Sequence, residues 1–571
     1  MTRVVRLGAS GSAGGQWSSS AHSLHAFALR HSGAFVLAAI IALALALAAS
    51  HHTGTSWLGG SDNFIYTFSA AQVSHGSLAT LPCCGEDNVK YLLYFGISLF
   101  YNGLFGYTPL TQSMFGLLCM ALTVVSVYLI GKRVYGAKAG LAAAFVYPII
   151  PLVSIESTGA GDSVPMAFLA TLSILLIVYA MPRPGRRPPA GCPAGGSILL
   201  ALSGFVAVVN FLIVPEATIG FMISAVLVLY LLLTRRVTGP GLALFLVGSL
   251  LGAAAIMGVS QSFNGSPLYI FATDMRSFDV AYTMQPFATY MQFMFPENVV
   301  QKTLSLAGPA LPGTYAALLW SYFAPLGGYQ QLEFGYIGYA LAAAAAYLIA
   351  TRERRAALPA FWFSFAFLYL SFGSQGITRY IPLFAEQRFL VLLCPAIALL
   401  VGIAAARFAS GFGRPAVRAA AWAAVLALLA ALLCSSAANI IAVDTAQYYF
   451  TEPMMQTAQY VNSLPYNATV FTTSAIEWEV FTDQAHTVLM RMRPIADAGS
   501  CGQALSAAGA HHGDYVVDNL DAPGGPPNLS ACGLETVFSP GVPRWLLGQT
   551  LFGGQPNFWN VAVYRYVSTS P

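Results

Sequence analysis

Eleven stretches of this chain are apolar over the length that a lipid bilayer demands. They run over 34–50, 109–131, 139–155, 164–181, 197–215, 217–234, 240–259, 333–351, 357–373, 389–407 and 419–441. A helix needs about 17–25 apolar residues to cross the hydrocarbon core, and lipid tolerates only backbones that satisfy their own polar groups. Charged residues make up 8% of the 571 positions, against about 25% in a soluble domain. An ordinary cytosolic enzyme, a disordered chain and a nucleic-acid binder with a basic stripe are thereby excluded. The fold class expected is a polytopic α-helical membrane protein, with no nucleic-acid partner.

A further run, 91–106, is short and rich in Tyr, Phe and Gly. It reads either as a twelfth span or as a helix lying on the membrane surface. Basic residues separate the two, because short loops rich in Lys and Arg stay cytoplasmic. With 91–106 on the surface, 17 of the 26 basic residues fall on the cytoplasmic side, among them Lys132, Arg133, Lys138, Arg352, Arg354 and Arg355. Glu353 is the one acid of 22 on that side. A spanning 91–106 would turn every later basic loop outward. Eleven spans follow, in the cytoplasmic (plasma) membrane, with the C-terminus outside. Loops 51–108 and 260–332, the short loops near 156–163 and 374–388, and everything after 441 then share one extracytoplasmic face.

Residues 1–33 are Ser/Gly/Ala-rich and basic, as expected of a disordered cytoplasmic tail; 34–441 form the membrane domain. After 441 short β-rich runs appear at Thr469–Thr473, Thr487–Met490, Tyr515–Val517 and Val561–Tyr566, with weakly helical stretches such as 454–463. The segment 442–571 is therefore expected to be an external soluble α/β domain with its own core. It holds two cysteines, Cys501 and Cys532, which an oxidising compartment would allow to pair. Adjacent Cys83 and Cys84 lack the spacing of a zinc site.

Two acidic clusters leave the spans on the external face. The first is Gly60-Ser61-Asp62-Asn63-Phe64-Ile65-Tyr66, in which Asp62 and Tyr66 share a helix face at a spacing of four. The second is Glu156 to Asp162, joining the third and fourth spans. Acids at a membrane border are costly unless they work or are paired. The plainer reading of Ser61-Asp62, and of Asp162-Ser163 before Pro165, is helix capping. External basic residues before 442 number five: Lys90, Arg276, Lys302, Arg379 and Arg388. Three of them, Lys90, Arg379 and Arg388, adjoin apolar spans, where snorkelling to the interface is the plain reading.

The order of these features resembles the C-type glycosyltransferases that use polyprenyl-phosphate sugars, notably protein O-mannosyltransferases and the lipid A aminoarabinose transferase. One span is followed by an acid in the first external loop, where the family's Asp-Glu reads Asp62-Asn63. Lys90-Tyr91-Leu92-Leu93-Tyr94 echoes a surface-helix motif, and a span ends in Gly131-Lys132-Arg133-Val134-Tyr135-Gly136. An Ala-rich span leads through Pro148 to Asp162. Arg379-Tyr380-Ile381-Pro382 and Glu386-Gln387-Arg388-Phe389 echo a late Arg-Tyr-x-x-Pro start. The resemblance covers 34–165 and 375–441.

It implies an inverting transferase that moves a sugar from a polyprenyl-phosphate donor to an extracytoplasmic acceptor (protein, glycolipid or polysaccharide). Asp62 and Asp162 would be the catalytic carboxylates, Asp62 as general base. Lys90, Arg379 and Arg388 would bind the donor phosphate, with Tyr66 and Glu156 binding substrate. No cofactor and no metal ligand set is expected; His51-His52 near Asp62 is the nearest approach to one. Two alternatives remain open. A transporter or flippase for a lipid-linked sugar would place charge at mid-membrane and show repeated halves, neither of which is visible. An oligosaccharyltransferase-like enzyme would carry a Trp-Trp-Asp-type triplet in its soluble domain, and none follows residue 441.

Overall fold

The computed structural model describes residues 33–48, 66, 69–70, 73, 90–100, 109–159, 161–181, 194–213, 218–234, 236–269, 334–372, 387–472, 487–491, 501–519, 533–540 and 561–567. Each of the eleven apolar runs carries a helix. The helices are α1 (Gly33–Ala48), α2 (Tyr91–Phe100), α3 (Pro109–Val134), α4 (Ala137–Val146), α5 (Pro151–Thr158), α6 (Ser163–Ala180), α7 (Ala194–Val209), α8 (Thr218–Leu233), α9 (Gly239–Asn264), α10 (Ile337–Ala350), α11 (Ala357–Phe372), α12 (Cys394–Ser410) and α13 (Pro415–Asn462). Among the described residues five are long and apolar enough to cross a membrane, or six if one bent pair is a single span. Helix α2, at ten residues, is about 15 Å long, half the thickness of the hydrocarbon core.

The bent pair corrects a sequence expectation. Run 139–155 reads as a straight span, yet α4 and α5 meet at 62°. Pro148 and Pro151 supply the cause, since neither can donate to the helical ladder. Ser154 Oγ donates to the Pro148 carbonyl at 2.7 Å, recovering an acceptor at the break.

Helix α12 lies at the centre of the bundle, buried on nearly every face. Small residues let it approach α4: a Cβ on Gly402 would stand 2.6 Å from the Ala143 amide nitrogen. Close backbone packing of this kind is what holds helices together where lipid removes the hydrophobic drive. Ser173, Ser203 and Ser224, from α6, α7 and α8, join their hydroxyls at 2.8–2.9 Å and tie those three helices together.

Helices α3 and α6 connect two chemically different ends of the bundle. At one end Ser113 Oγ of α3 donates to the Thr158 carbonyl beside the start of α6. At the other, Arg133 Nη2 donates to the Met181 carbonyl at 2.6 Å and Arg355 lies over Tyr135. The 26 residues of α3 set these ends about 39 Å apart.

The C-terminal segment forms a five-stranded sheet, β1 (Ala468–Thr472), β2 (Thr487–Arg491), β3 (Tyr515–Asn519), β4 (Leu534–Phe538) and β5 (Val561–Tyr566), with α14 (Cys501–Ala508). Its order is β2-β1-β3-β5-β4. Strands β1, β2 and β3 are parallel, and β5 is antiparallel to β3 and β4. Successive residues Val516-Val517 and Ala562-Val563-Tyr564 are all buried, as expected of central strands covered on both faces. Helix α13 runs unbroken from the last apolar run to the sheet, where Tyr460 stacks on Phe538 at 4.6 Å. The stretch 454–463 is thus the end of a span-bearing helix rather than a separate element. Cys532 lies outside the described residues; so do Cys83 and Cys84.

Candidate functional site

The site grows from two helix amino termini. Lys90 immediately precedes α2, its carbonyl accepting the Tyr94 amide at 3.1 Å. Asp162 immediately precedes α6, its carbonyl accepting the Met166 amide at 2.9 Å. Their side chains meet: Lys90 Nζ lies 2.9 Å from Asp162 Oδ2, with side-chain exposures of 10% and 0%. Tyr66 completes the cluster. Its hydroxyl accepts from Lys90 Nζ and donates to Asp162 Oδ2 at 3.3 Å, and the ammonium sits 4.2 Å from its ring centre.

This arrangement corrects two plain readings. Asp162 occupies an N-cap position, but its side chain makes no capping bond; the carboxylate turns to Lys90 and Tyr66. Lys90 does not snorkel, being 8% exposed. A lysine at the positive end of a helix dipole is poorly placed by itself, and a buried ammonium needs a partner. Asp162 meets both needs, while its own carboxylate gains from the positive end of α6.

Neighbouring packing fixes the geometry. A Cβ on Gly116 of α3 would stand 2.6 Å from the Ser157 carbonyl oxygen, so α3 presses on the end of α5 that leads to Asp162. Glu156 is half-buried on α5. Arg388 belongs to a 3-10 segment, Gln387–Leu393, that packs against α5 and α6, the helices flanking Asp162. Asp62 and Arg379 lie outside the described residues, as do His51 and His52. Tyr66, four residues after Asp62, is the described member of that first cluster, and it reaches Asp162.

One contributor was missed by the sequence reading. Helix α9 extends past 259 to Asn264, ends at Gly265 in the left-handed conformation (φ 69°), and clamps α2. Asn264 Nδ2 donates to the Tyr91 hydroxyl, and Phe263 stacks on the Tyr91 ring at 4.9 Å. Burial pushes the Tyr91 pKa up to about 12, against the lowering effect of the Asn264 hydrogen bond. The backbone of Lys90 is therefore held from the root of the 260–332 loop. The signal available was Asn264-Gly265, a common helix stop.

No protein-family model matches the sequence, and no curated protein matches it. The fold, however, is shared with solved C-type membrane glycosyltransferases. ArnT from Cupriavidus metallidurans, in a structure bound to undecaprenyl phosphate, is similar with a TM-score of 0.52 at 13% identity, covering 93% of this chain and 98% of that one. The Archaeoglobus fulgidus oligosaccharyltransferase, tethered with an acceptor peptide containing the NVT sequon, is similar with a TM-score of 0.52 at 12% identity, covering 87% and 70%.

Proposed function

We propose that the protein is an inverting glycosyltransferase, moving a sugar from a polyprenyl-phosphate donor to an acceptor outside the cytoplasmic membrane. One observation carries the reading: a buried ammonium stands where two helix amino termini converge. Helix amino termini favour anions, and Lys90 adds a charge that can follow a phosphate. In this reading the acceptor hydroxyl attacks the anomeric carbon from the face opposite the phosphate. The bond from that carbon to the phosphate oxygen breaks, and the lipid phosphate leaves with the electron pair. Asp62 takes the acceptor's proton.

Asp162 holds Lys90 ready and releases part of its charge to the donor phosphate, with Arg379 and Arg388 sharing the negative charge that develops. Tyr66 keeps the ammonium and carboxylate in register, and Glu156 contacts substrate. No resident metal is required, because cations of the chain meet the phosphate. The similarity to ArnT, whose structure holds undecaprenyl phosphate, supports this donor class. The positive-inside pattern supports eleven spans, with the site and the C-terminal domain facing outward.

The test is sugar transfer from a defined polyprenyl-phosphate donor by purified protein. Asp62→Asn should lower kcat by about 10²–10⁴-fold while leaving donor binding intact. Near-normal turnover would end the general-base role of Asp62, and transport of a lipid-linked sugar without transfer would end the enzymatic reading.

A further inference from the structure

At the end of the bundle opposite Lys90 and Asp162, two connections, 135–136 between α3 and α4 and 351–356 between α10 and α11, meet beside Arg407 near the end of α12. Tyr135 lies among their charges. The Arg355 guanidinium carbon is 5.5 Å from its ring centre. Burial raises the Tyr135 pKa and nearby Glu353 raises it further, against Arg407 and Arg355. Glu353, the only acid in these connections, is already committed. Its Oε2 faces Arg407 Nε at 3.6 Å, its side chain is 12% exposed, and Oε1 accepts the Arg355 amide at 3.2 Å. The side chains of Arg352, Arg354, Arg355 and Arg407 remain exposed, four guanidinium groups against the single carboxylate of Glu353, which leaves the corner positively charged.

Two further observations identify the anion. Arg352 ends α10 in the left-handed region, φ 49°, with its amide donating to Ile349 and that of Glu353 to Leu348, both at 3.0 Å. Glycine is the usual residue there, so an arginine in this strained place points to a use for its charge. The surface leading up to these arginines is apolar. Ile349 is 76% and Phe408 42% exposed, and Phe408 packs edge-on against Tyr347 at 6.2 Å. Exposed apolar surface running into clustered guanidinium groups fits an amphiphile, with a phosphate for the forks of arginine and acyl chains for the wall below.

We propose that the Arg352–Arg355 corner, with Arg407, binds the head group of an anionic phospholipid whose acyl chains lie along α10 and α12. The site is separate from the Lys90–Asp162 cluster and does not depend on the proposed activity. Each basic residue at a membrane surface strengthens binding to anionic lipid about fivefold, so the three arginines of the corner together supply roughly a hundredfold.

The experiment uses the full chain in mild detergent. Retention of phosphatidylglycerol and phosphatidylcholine is measured by native mass spectrometry, and the unfolding temperature is followed with each lipid or with inorganic phosphate. The variants are the triple R352Q/R354Q/R355Q, the same triple to Lys, and Arg236→Gln as an exposed basic control. Wild type should retain phosphatidylglycerol and be stabilised by it, but not by phosphatidylcholine or phosphate. The Gln triple should bind at least tenfold more weakly, the Lys triple should recover most of the binding, and Arg236→Gln should match wild type. Undiminished phosphatidylglycerol binding by the Gln triple, equal binding of phosphatidylcholine, equal stabilisation by phosphate, a Lys triple as weak as the Gln triple, or equal loss in Arg236→Gln would each overturn the proposal.

Discussion

Breaking the Lys90–Asp162 pair one side at a time should harm the fold more than removing both sides together. At 2.9 Å and an effective dielectric of about 20, their attraction is about 6 kcal/mol. Much of that only offsets the cost of taking both ions out of water. Lys90→Met leaves a carboxylate buried without its cation, and Asp162→Asn leaves a buried ammonium. Each single variant should lose about 3–5 kcal/mol of stability. The double variant holds neither charge and should lose about 1 kcal/mol or less, since a neutral replacement of a buried pair is often tolerated. The coupling between the two changes, the sum of the single losses less the double loss, should therefore be about 5 kcal/mol or more. Reversible unfolding in mixed detergent micelles, followed by tryptophan fluorescence, measures all four corners of the cycle. The same preparations should transfer no sugar in any of the three variants, so stability returns in the double variant without activity. Losses that add to within about 0.5 kcal/mol would refute the pairing argument, and full turnover by Lys90→Met would remove Lys90 from the donor site.

Gly116→Val should destabilise by about 1–3 kcal/mol, because its new atoms meet the Ser157 carbonyl rather than a movable side chain; unfolding measurements would read this. Asn264→Ala removes the donor to the Tyr91 hydroxyl, an interaction worth about 0.5–1.5 kcal/mol, and should raise the donor KM about two- to tenfold with the acceptor KM unchanged in steady-state assays. Transfer by protein dialysed against EDTA should match untreated protein; loss of activity restored by a divalent cation would show that the donor phosphate needs a metal.

The positions of the helices were legible because apolar length alone dictates them, and α2, with ten residues, is short as its run led one to expect. Four of the five strands were legible from their β-branched and aromatic content; β4, Leu-Glu-Thr-Val-Phe, was not singled out. The members of the site were legible as well: Lys90, Tyr66 and Asp162 were all singled out. Their relation was not. An Asp-Ser-x-Pro sequence reads as a helix cap whether or not the carboxylate caps, and only the approach of a lysine 72 residues away turns it aside. The clamp of Asn264 on Tyr91 is hidden for the same reason, since 173 residues separate the partners. The bend between α4 and α5 was written in Pro148 and Pro151, but the even apolarity of the run masked it.

Helix α13 has a mechanical consequence. Its 48 residues would measure about 72 Å if straight, and its far end is fastened to the sheet by the Tyr460–Phe538 stack and by its contact with β5. Such a strut has no slack, unlike a tether. Inserting a single residue midway would swing the sheet by about 100° around the helix axis and lift it about 1.5 Å. Changes of length near whole turns are the ones that preserve its heading. The direction in which the C-terminal sheet faces is thus geared to the bundle residue by residue, and its reach comes in steps of a helical turn.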